Sequence, residues 1–251
     1  MPAAGRPKKQ RLDVALTERG IAPSREKARA FILAGDVSVD GQTETRAGAM
    51  VAAGAALALA QPARFVSRGG EKLDHALAVF GIEVAGRVAM DVGASTGGFT
   101  DCLLQRGAAR VYAIDVGYGQ LDQRLRGDAR VVVMERTHMR DLASLPEPPD
   151  VATVDVSFIS LTKVLPAVVA LLRPGGDIVA LVKPQFEAER GEVSRRGVVS
   201  DPLVHASVIG RVAWWCVNNG LRVRGLTASP LLGPAGNREF FLWLRPSASS
   251  A

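Results

Sequence analysis

Four charged residues stand in or beside apolar segments of the sequence, where a charge without a partner is costly. Lys183 closes an apolar run and is followed at once by a proline, which biases the residue before it towards an extended backbone. Asp155 closes another apolar run, Glu239 enters the very apolar segment near the C-terminus, and Lys72 lies at the start of a helical pattern. Lysine is rarely fully buried unless it is paired, so Lys–carboxylate pairs are expected. An ammonium group beside an attacking hydroxyl would stabilise the negative charge that develops on its oxygen.

Each of these residues also has a structural interpretation. Asp155 and Lys183 could form an ion pair that only supports the fold, Lys72 could be a surface residue of its helix, and Glu239 could be a charge at a strand end. Four such residues together, three of them at strand ends, favour a catalytic set. Because the two acids favour the charged form of the lysines, Lys183 is expected to be an electrostatic stabiliser, and a role as a free-amine base stays open.

A glycine-rich turn indicates the binding of a cofactor. In VAMDVGASTGGFTD, residues 88–101, an apolar strand ends at Asp91 and a helix is expected to begin near Phe99. Glycines let the backbone approach a ligand closely, and a helix start offers free N–H groups. The spacing Gly-x-x-x-Gly-Gly departs from the Gly-x-Gly-x-x-Gly of dinucleotide sites and favours S-adenosylmethionine (SAM). Asp91 is expected near the sulfonium or amino end, and Asp115, about twenty residues on, is the expected ribose partner. The predicted cofactor contacts are Asp91, Gly93, Ala94, Ser95, Thr96, Gly97, Gly98, Phe99, Asp115 and Val116.

The segments that must position these residues alternate between strand and helix patterns. Such alternation predicts a doubly wound, mostly parallel α/β sheet, and ligands bind beyond the carboxyl ends of its strands. Two final strands without an intervening helix predict an antiparallel pair at the C-terminus. The predicted strands are 88–92, 110–115, 130–134, 151–155, 178–183, 222–229 and 239–245, and the predicted helices are 99–106, 161–172 and 203–219.

Composition limits the classes of protein to which the chain can belong. Of its 251 residues, 47% are hydrophobic and 22% charged, which is typical of a soluble globular protein. The two cysteines, Cys102 and Cys216, lie far apart in apolar stretches and suit core thiols, and the histidines are scattered. Neither a disulfide framework nor a metal site is therefore expected. No signal peptide and no membrane-spanning apolar run are recognised, so a cytoplasmic location is expected.

The net charge of +6 is concentrated in the first quarter of the chain. Residues 1–68 contain 11 Lys and Arg against 6 Asp and Glu, which is a common footprint of nucleic-acid binding, although a solvated basic tail would look the same. This part predicts two short helices, the second capped by Ser24 and ended by Gly35, and a small β element. The candidate phosphate contacts are Lys8, Lys9, Arg11, Arg25 and Arg29.

Three further arginines and one aromatic residue lie near the predicted catalytic set. Arg68 precedes two glycines close to the first catalytic lysine and could contact RNA. Arg195 and Arg196 lie in a glycine-interrupted loop that could clamp RNA phosphates or be plainly solvated. Phe158 follows the first catalytic acid and could stack on a base, but a lone aromatic residue is expected to pack in the core.

Two groups of motifs resemble known families. RLDVALTERGIAPSREKARAFILAGDVSVDG resembles the small S-four-type RNA-binding module first described in a ribosomal protein. The order Lys72, Asp155, Lys183, Glu239 resembles the Lys-Asp-Lys-Glu set of the FtsJ-like ribose 2′-O-methyltransferases. The chain is identified as a member of the TlyA family, once called haemolysins, which joins these two domains. The motifs that carry this resemblance are VSRGGEKL, DVGASTGGFTD, DVGYGQL, DVSFISL, LVKPQFE and GPAGNREFFLWL.

The resemblance implies a domain plan and an activity. It implies an S-four-type domain at 1–62 with its core at 10–60, a linker at 63–68, and a Rossmann-like class I SAM methyltransferase domain at 69–247. It also implies SAM-dependent 2′-O-methylation of a ribose, that of cytidine, in ribosomal RNA within ribosomal subunits. Three alternatives stay open: a membrane-active haemolysin, a non-catalytic RNA-binding module for ribosome assembly, and a small-molecule methyltransferase.

Overall fold

The computed structural model describes residues 9–59 and 64–247, so that Lys8 lies outside the described residues. The chain divides into two compact units, Met1–Ala63 and Arg64–Ala251, and each is described by itself. The larger unit contains the glycine-rich turn and all four candidate catalytic residues.

The N-terminal unit packs two short helices against short strands. Its elements are β1 (Lys9–Arg11), α1 (Leu12–Glu18), α2 (Arg25–Ala34), β2 (Val37–Val39), β3 (Gln42–Thr43), β4 (Met50–Ala52) and β5 (Leu57–Leu59). Ser24 caps α2 by accepting a hydrogen bond from the backbone N–H of Lys27 over 3.2 Å, and Gly35 ends the helix in the left-handed conformation, as predicted. Leu12, Leu16 and other apolar residues of these elements form the unit's own core.

The C-terminal unit alternates strands and helices along its length. Its helices are α3 (Arg68–Phe80), α4 (Gly98–Gln105), α5 (Gln123–Arg126), α6 (Leu161–Leu171), α7 (Pro184–Glu187) and α8 (Pro202–Asn218). Its strands are β6 (Val88–Val92), β7 (Arg110–Ile114), β8 (Val131–Met134), β9 (Val151–Val154), β10 (Asp177–Val182), β11 (Leu221–Ala228) and β12 (Phe240–Pro246). Two short 3-10 helices, Met139–Asp141 and Arg190–Glu192, lie between them. The predicted ends of these seven strands, and of α4, α6 and α8, differ from the observed ends by at most one residue.

The seven strands form one sheet in the order β11-β12-β10-β9-β6-β7-β8. The strands from β10 to β8 run parallel, whereas β12 is antiparallel to both of its neighbours. Alternate residues of β6 belong to two separate apolar clusters, one shared with α3 and α4 and the other with α6 and α8. This arrangement confirms the predicted doubly wound, mostly parallel sheet with an antiparallel pair at its C-terminal end.

Asp177, at the start of β10, anchors the far end of β12. Its carboxylate is 1% exposed and accepts hydrogen bonds from Arg245 Nε (2.6 Å), Trp243 Nε1 (2.7 Å) and Arg87 Nη1 (3.0 Å). Burial opposes its ionisation, but these hydrogen bonds outweigh the burial and hold the pKa of Asp177 below its ordinary value. The cluster fixes the C-terminal end of β12 beside the amino end of β10, which is the end of the sheet opposite the candidate catalytic residues.

The reversed direction of β12 brings distant residues to the end of the sheet at which the parallel strands finish. Asp155 follows the last residue of β9, and Lys183 follows the last residue of β10. The first residue of β12 pairs with the last residue of β10, Phe240 with Val182. Glu239, which precedes β12, therefore lies at the same end of the sheet as Asp155 and Lys183. The sequence patterns placed these three charged residues inside the strands, whereas the structure puts each of them one position outside, where the backbone leaves the sheet.

Candidate active site

The end of β10 shows why a lysine followed by a proline closes a core strand. Lys183 keeps an extended backbone (φ −108°, ψ 102°), and Pro184 occupies the first position of α7, where a helix needs no N–H. The Lys183 ammonium lies 2.6 Å from Oδ1 of Asp155 and donates a hydrogen bond to Oγ of Ser157 over 2.9 Å. The Lys183 side chain is 12% exposed, so its charge is held in a partly desolvated position.

A second ion pair joins α3 to the loop before β12. Nζ of Lys72 donates to Oε2 of Glu239 over 2.5 Å, and the two side chains are 9% and 1% exposed. A Cβ atom at Gly233 would come within 2.6 Å of the Glu239 carboxylate, so glycine lets the loop close tightly over this group. Lys72 is therefore a buried, paired charge, and its interpretation as a surface residue is wrong.

All four charged residues line one cavity of about 430 Å³. They form two Lys–carboxylate pairs that face a common space. Part of the wall comes from the glycine-rich turn, and part comes from the loop before β12. The other lining residues are Ser67, Arg68, Gly69, Gly93, Ala94, Ser95, Thr96, Phe99, Leu232 and Pro234.

A neighbouring cavity of about 460 Å³ opens on the other side of the glycine-rich turn. It shares Gly93, Ser95 and Asp155 with the first cavity, so a ligand held in it would reach the first ion pair. Small-molecule sites commonly measure about 300–1,000 Å³, and this volume falls within that range. The two cavities together could hold a cofactor on one side of the turn and a second substrate on the other.

Asp115 and the residues around it form the rim of this second cavity. Oδ2 of Asp115 accepts a hydrogen bond from the backbone N–H of Ser95 (2.8 Å), and Oδ1 accepts one from that of Gly117 (2.6 Å). Val116 also lines the cavity and is 61% exposed. The segment Thr137–Arg140 completes the wall. Sequence reasoning missed this segment, because it matches no strand end and no glycine-rich motif.

Three glycines of the turn serve different purposes. Gly93 has φ 89°, and a Cβ atom there would lie 2.3 Å from the carbonyl oxygen of Asp155, so only glycine lets the two strand ends meet. Gly97 and Gly98 are buried, and added Cβ atoms would meet Leu125 and Ser67 within 2.3 Å and 2.2 Å. These two glycines line neither cavity; close packing accounts for glycine at both positions, and their contact with a cofactor stays a prediction.

Asp91 does not face either cavity. Its carboxylate is fully buried and accepts hydrogen bonds from the hydroxyls of Thr100 (2.7 Å) and Thr153 (3.1 Å). Burial raises the pKa of Asp91 to about 7, against the opposing effect of these two hydrogen bonds. In this structure the carboxylate ties β6 to α4 and β9 beneath the turn, and its place near the positive end of a cofactor stays a prediction.

Phe158 is exposed, and the expectation that it packs in the core is wrong. It is 90% exposed, lines the second cavity and adopts φ 63°, a left-handed conformation that is rare for a bulky residue. Its ring packs against that of Phe186 with centroids 4.9 Å apart. Strained backbone that persists beside a charged pair is a common mark of a functional position, so Phe158 is a candidate substrate contact.

Glu187 fixes the segment that carries Phe186. Its carboxylate accepts hydrogen bonds from the backbone N–H of Leu161 (2.7 Å) and from Oγ of Ser160 (2.7 Å), at the start of α6. Burial raises the pKa of Glu187. The last residue of the LVKPQFE motif thereby joins the loop after β10 to the loop after β9, and these two loops carry Lys183 and its partner.

The predicted phosphate contacts of the N-terminal unit differ in their freedom. Arg11 and Arg25 both pair with the buried carboxylate of Asp13, at 3.0 and 3.3 Å, while their side chains remain 43% and 59% exposed. Lys9 and Arg29 are exposed. Two of the candidate residues are therefore fixed in direction by an acid that sequence reasoning did not assign.

The predicted RNA contacts of the C-terminal unit lie at two places. Arg68 donates a hydrogen bond to the carbonyl of Leu232 over 2.8 Å and lines the cavity of the ion pairs. Arg195 and Arg196 are exposed on the loop that precedes α8. The structure thus brings Arg68 to the four charged residues and places the arginine pair in a separate loop.

Sequence comparisons decide the family. The pattern of the FtsJ-like methyltransferases matches residues 65–246, and that of the S4 domain matches residues 10–57. The chain is 48% identical to YqxC of Bacillus subtilis (strain 168), over 94% of this chain and 86% of that protein. It is 47% identical to the 16S/23S rRNA (cytidine-2′-O)-methyltransferase TlyA of Mycobacterium tuberculosis (strain H37Rv), over 97% and 92% of the two chains. The chain belongs to the TlyA family of FtsJ-like methyltransferases.

A solved structure agrees with this membership. The solved structure of a protein from Streptococcus thermophilus described as a hemolysin superposes on this chain with a TM-score of 0.75. The two sequences are 42% identical, and the match covers 97% of this chain and 90% of the other. The FtsJ-like fold and family imply the use of SAM. Within residues 9–59 and 64–247, no helix is both long and apolar enough to cross a membrane. The same residues contain no cluster of three or more His, Cys, Asp or Glu side chains arranged to hold a metal ion.

Proposed function

We propose that this chain transfers a methyl group from SAM to the 2′-hydroxyl of a cytidine ribose in ribosomal RNA, within ribosomal subunits in the cytoplasm. The observation that carries this proposal is the cavity onto which two Lys–carboxylate pairs face, next to a second cavity behind the glycine-rich turn. The name of the mycobacterial relative supports the target, and the S4 domain supports an RNA substrate.

The residues around the second cavity fit SAM. Asp115 offers a carboxylate at the rim, as nucleotide-binding folds do for ribose hydroxyls. Gly93 and Asp155 stand where the two cavities meet, so a positively charged sulfur near them would lie beside a carboxylate. When bound there, SAM supplies an electrophilic methyl group. The protein must then hold the ribose hydroxyl in line with that group and exclude other nucleophiles.

Lys183 is the central group in this proposal. A neutral 2′-hydroxyl is a poor nucleophile; as its oxygen attacks, it gives up its proton to solvent, and negative charge develops on the oxygen. The Lys183 ammonium, fixed by Asp155 at 2.6 Å and by Ser157 at 2.9 Å, would stabilise that charge. Because its position is set before the substrate arrives, little reorganisation is needed during the reaction.

The second pair and Phe158 have binding roles. Lys72 and Glu239 face the same cavity and would orient the ribose by hydrogen bonds. The exposed ring of Phe158, supported by Phe186, would stack on the target base. Stacking on an aromatic residue requires a base that has left its helix, and this suits an enzyme that acts on the sugar of a single nucleotide.

The test is methyl transfer from labelled SAM into ribosomal subunits that lack the modification, with nuclease digestion to identify the 2′-O-methylated nucleoside. Lys183→Ala should lower the rate about 10²–10³-fold, the usual effect of removing one preorganised donor. Lys163→Ala, which removes an exposed lysine of α6, is the matched control and should keep the wild-type rate. If the wild type labels no ribose, or if Lys183→Ala folds and labels at the control rate, the proposed function or its mechanism fails.

A further inference from the structure

One buried asparagine brings two segments of the C-terminal unit together. Asn237 is 1% exposed; its Oδ1 accepts a hydrogen bond from the backbone N–H of Val199, and its Nδ2 donates one to the carbonyl of Gly197, both over 2.9 Å. Arg196 precedes Gly197, and Arg238 follows Asn237. The asparagine therefore ties together the two backbone segments that carry these exposed arginines, although 42 positions separate the arginines in the sequence.

The first of these segments is a tight turn with arginines at its tip. The N–H of Gly197 donates to the carbonyl of Ser194 over 2.8 Å, and the N–H of Val198 donates to Oγ of Ser194 over 3.0 Å. Gly197 has φ 73°, which favours glycine at this place. Arg195 and Arg196 occupy the two central positions and are exposed.

The charges of this region are uncompensated. Among the described residues, Arg195, Arg196 and Arg238 have no carboxylate within ion-pair distance, whereas arginines such as Arg87 and Arg245 are paired. Arg238 is exposed although both of its neighbours in the sequence are buried. Three exposed guanidinium groups without an ion-pair partner, carried by two segments that Asn237 joins, suit an anion with several oxygens, because guanidinium binds phosphate through two parallel hydrogen bonds.

We propose that Arg195, Arg196 and Arg238 form a phosphate cradle for the RNA strand next to the target ribose, and that Asn237 is its positioning residue. This inference rests on the proposed function, because Asn237 lies two residues from Glu239, which faces the catalytic cavity. Contacts to phosphates fix the register of a nucleic acid and add affinity without reading its sequence. The cradle would thus set which nucleotide of a bound strand reaches Lys183.

The test compares Arg196→Ala/Arg238→Ala with Arg222→Ala. Arg222 is also an exposed arginine, but it lies at the start of β11, whose first residue pairs with Pro246 at the opposite edge of the sheet. Initial rates of methyl transfer are measured against ribosomal subunit concentration, with binding of SAM measured separately by calorimetry. Equilibrium binding of ribosomal RNA is measured from low to high salt.

The double variant should raise KM about 10–100-fold, with kcat within about twofold and SAM affinity unchanged. The slope of log K against log salt should become smaller by about 2, one for each lost phosphate contact. Asn237→Ala, once shown by its thermal midpoint to be folded, should raise KM as well. In that background, the two arginine substitutions should add much less than in the wild type, because the cradle is already displaced.

The outcomes separate this inference from the function on which it rests. A wild type that binds RNA with the expected salt dependence but methylates nothing refutes the function. A wild type that methylates, together with a double variant whose KM and salt slope equal those of Arg222→Ala, refutes the cradle. Full additivity of the arginine and Asn237→Ala effects refutes the positioning role of the asparagine.

Discussion

The buried pair between Lys72 and Glu239 can be divided into its structural and its catalytic contribution. Lys72→Met leaves the Glu239 carboxylate 1% exposed and without its cation. Breaking a buried pair from one side costs about 3–5 kcal/mol, because the remaining charge is desolvated and uncompensated. Replacing both charges, as in Lys72→Met/Glu239→Gln, should recover most of that loss.

The expected numbers follow from this geometry. For a domain of this size, about 1 kcal/mol corresponds to a change of about 2–4 °C in Tm, so Lys72→Met should lower the Tm of the methyltransferase domain by about 6–20 °C. Glu239→Gln should lower it less, because an amide oxygen can still accept a hydrogen bond from Lys72. Thermal unfolding of the wild type, both single variants and the double variant completes the cycle.

Methyl transfer by the same four proteins decides the role of the pair. If Lys72 and Glu239 orient the ribose, the double variant should be stable and yet lose about 10²-fold in kcat/KM. Recovery of both stability and activity in the double variant would show that the pair only supports the fold. A Tm of Lys72→Met within 2 °C of the wild type would refute the desolvated pair itself.

Three further changes have separate signatures. Gly93→Ala should abolish SAM binding measured by calorimetry, because a Cβ atom there meets the Asp155 carbonyl at 2.3 Å; unchanged SAM affinity would contradict the close approach. Phe158→Ala should raise KM for RNA about tenfold, from the loss of about 1–3 kcal/mol of stacking, and leave Tm unchanged because the ring is 90% exposed; an equal KM would remove Phe158 from the substrate site. Asp177 and Asp91 should give opposite pH profiles of Tm. Because the pKa of Asp177 is lowered, its ionised form stabilises the fold above the unfolded pKa near 3.8, and this stabilisation is lost in acid. Because the pKa of Asp91 is raised to about 7, stability should fall as the pH rises from about 4 to 7. Asp177→Asn should therefore flatten the acid limb and Asp91→Asn the limb towards neutral pH, and reversed effects would refute both assignments.

The framework of the C-terminal unit was predictable because its signals are local. Apolar runs of five or six residues, glycines at helix ends and charged residues at strand ends mark the elements to within one residue. The direction of β12 was also accessible, since two strands without an intervening helix favour an antiparallel pair. From that direction alone, Glu239 should meet Asp155 and Lys183.

Local sequence pattern does not give the direction in which individual side chains point. Asp91 has the spacing of a ligand contact, but Thr100 and Thr153 turn its carboxylate inward, and their positions depend on how α4 and β9 pack. Phe158 was assigned to the core because aromatic residues usually pack there, whereas in the structure its backbone is left-handed and its side chain is 90% exposed. Such facts arise from tertiary packing and cannot be read from local pattern.

For the N-terminal arginines and the arginines of the turn at residues 194–197, the sequence shows the charges but not the residues that position them. Charge counting identified Arg11 and Arg25, but not the buried Asp13 that fixes them. It also identified Arg195 and Arg196, but not Arg238, which looks like an ordinary surface charge until the hydrogen bonds of Asn237 place it beside the turn.

The placement of the four catalytic candidates follows from the topology of the sheet more than from any single motif. Residues that follow parallel strands lie at one end of the sheet, and Asp155 and Lys183 lie there for this reason. For an antiparallel strand, the residue that precedes it lies at that end. Glu239, which precedes β12, therefore contacts Lys72 of α3, the helix before β6. Each ion pair thus joins segments that are distant in the chain, and the assembled sheet brings its members together. The cavity that the four residues line therefore depends on the position of β12. A substitution that loosens β12 at its other end, such as one at Asp177, should weaken the Lys72–Glu239 pair.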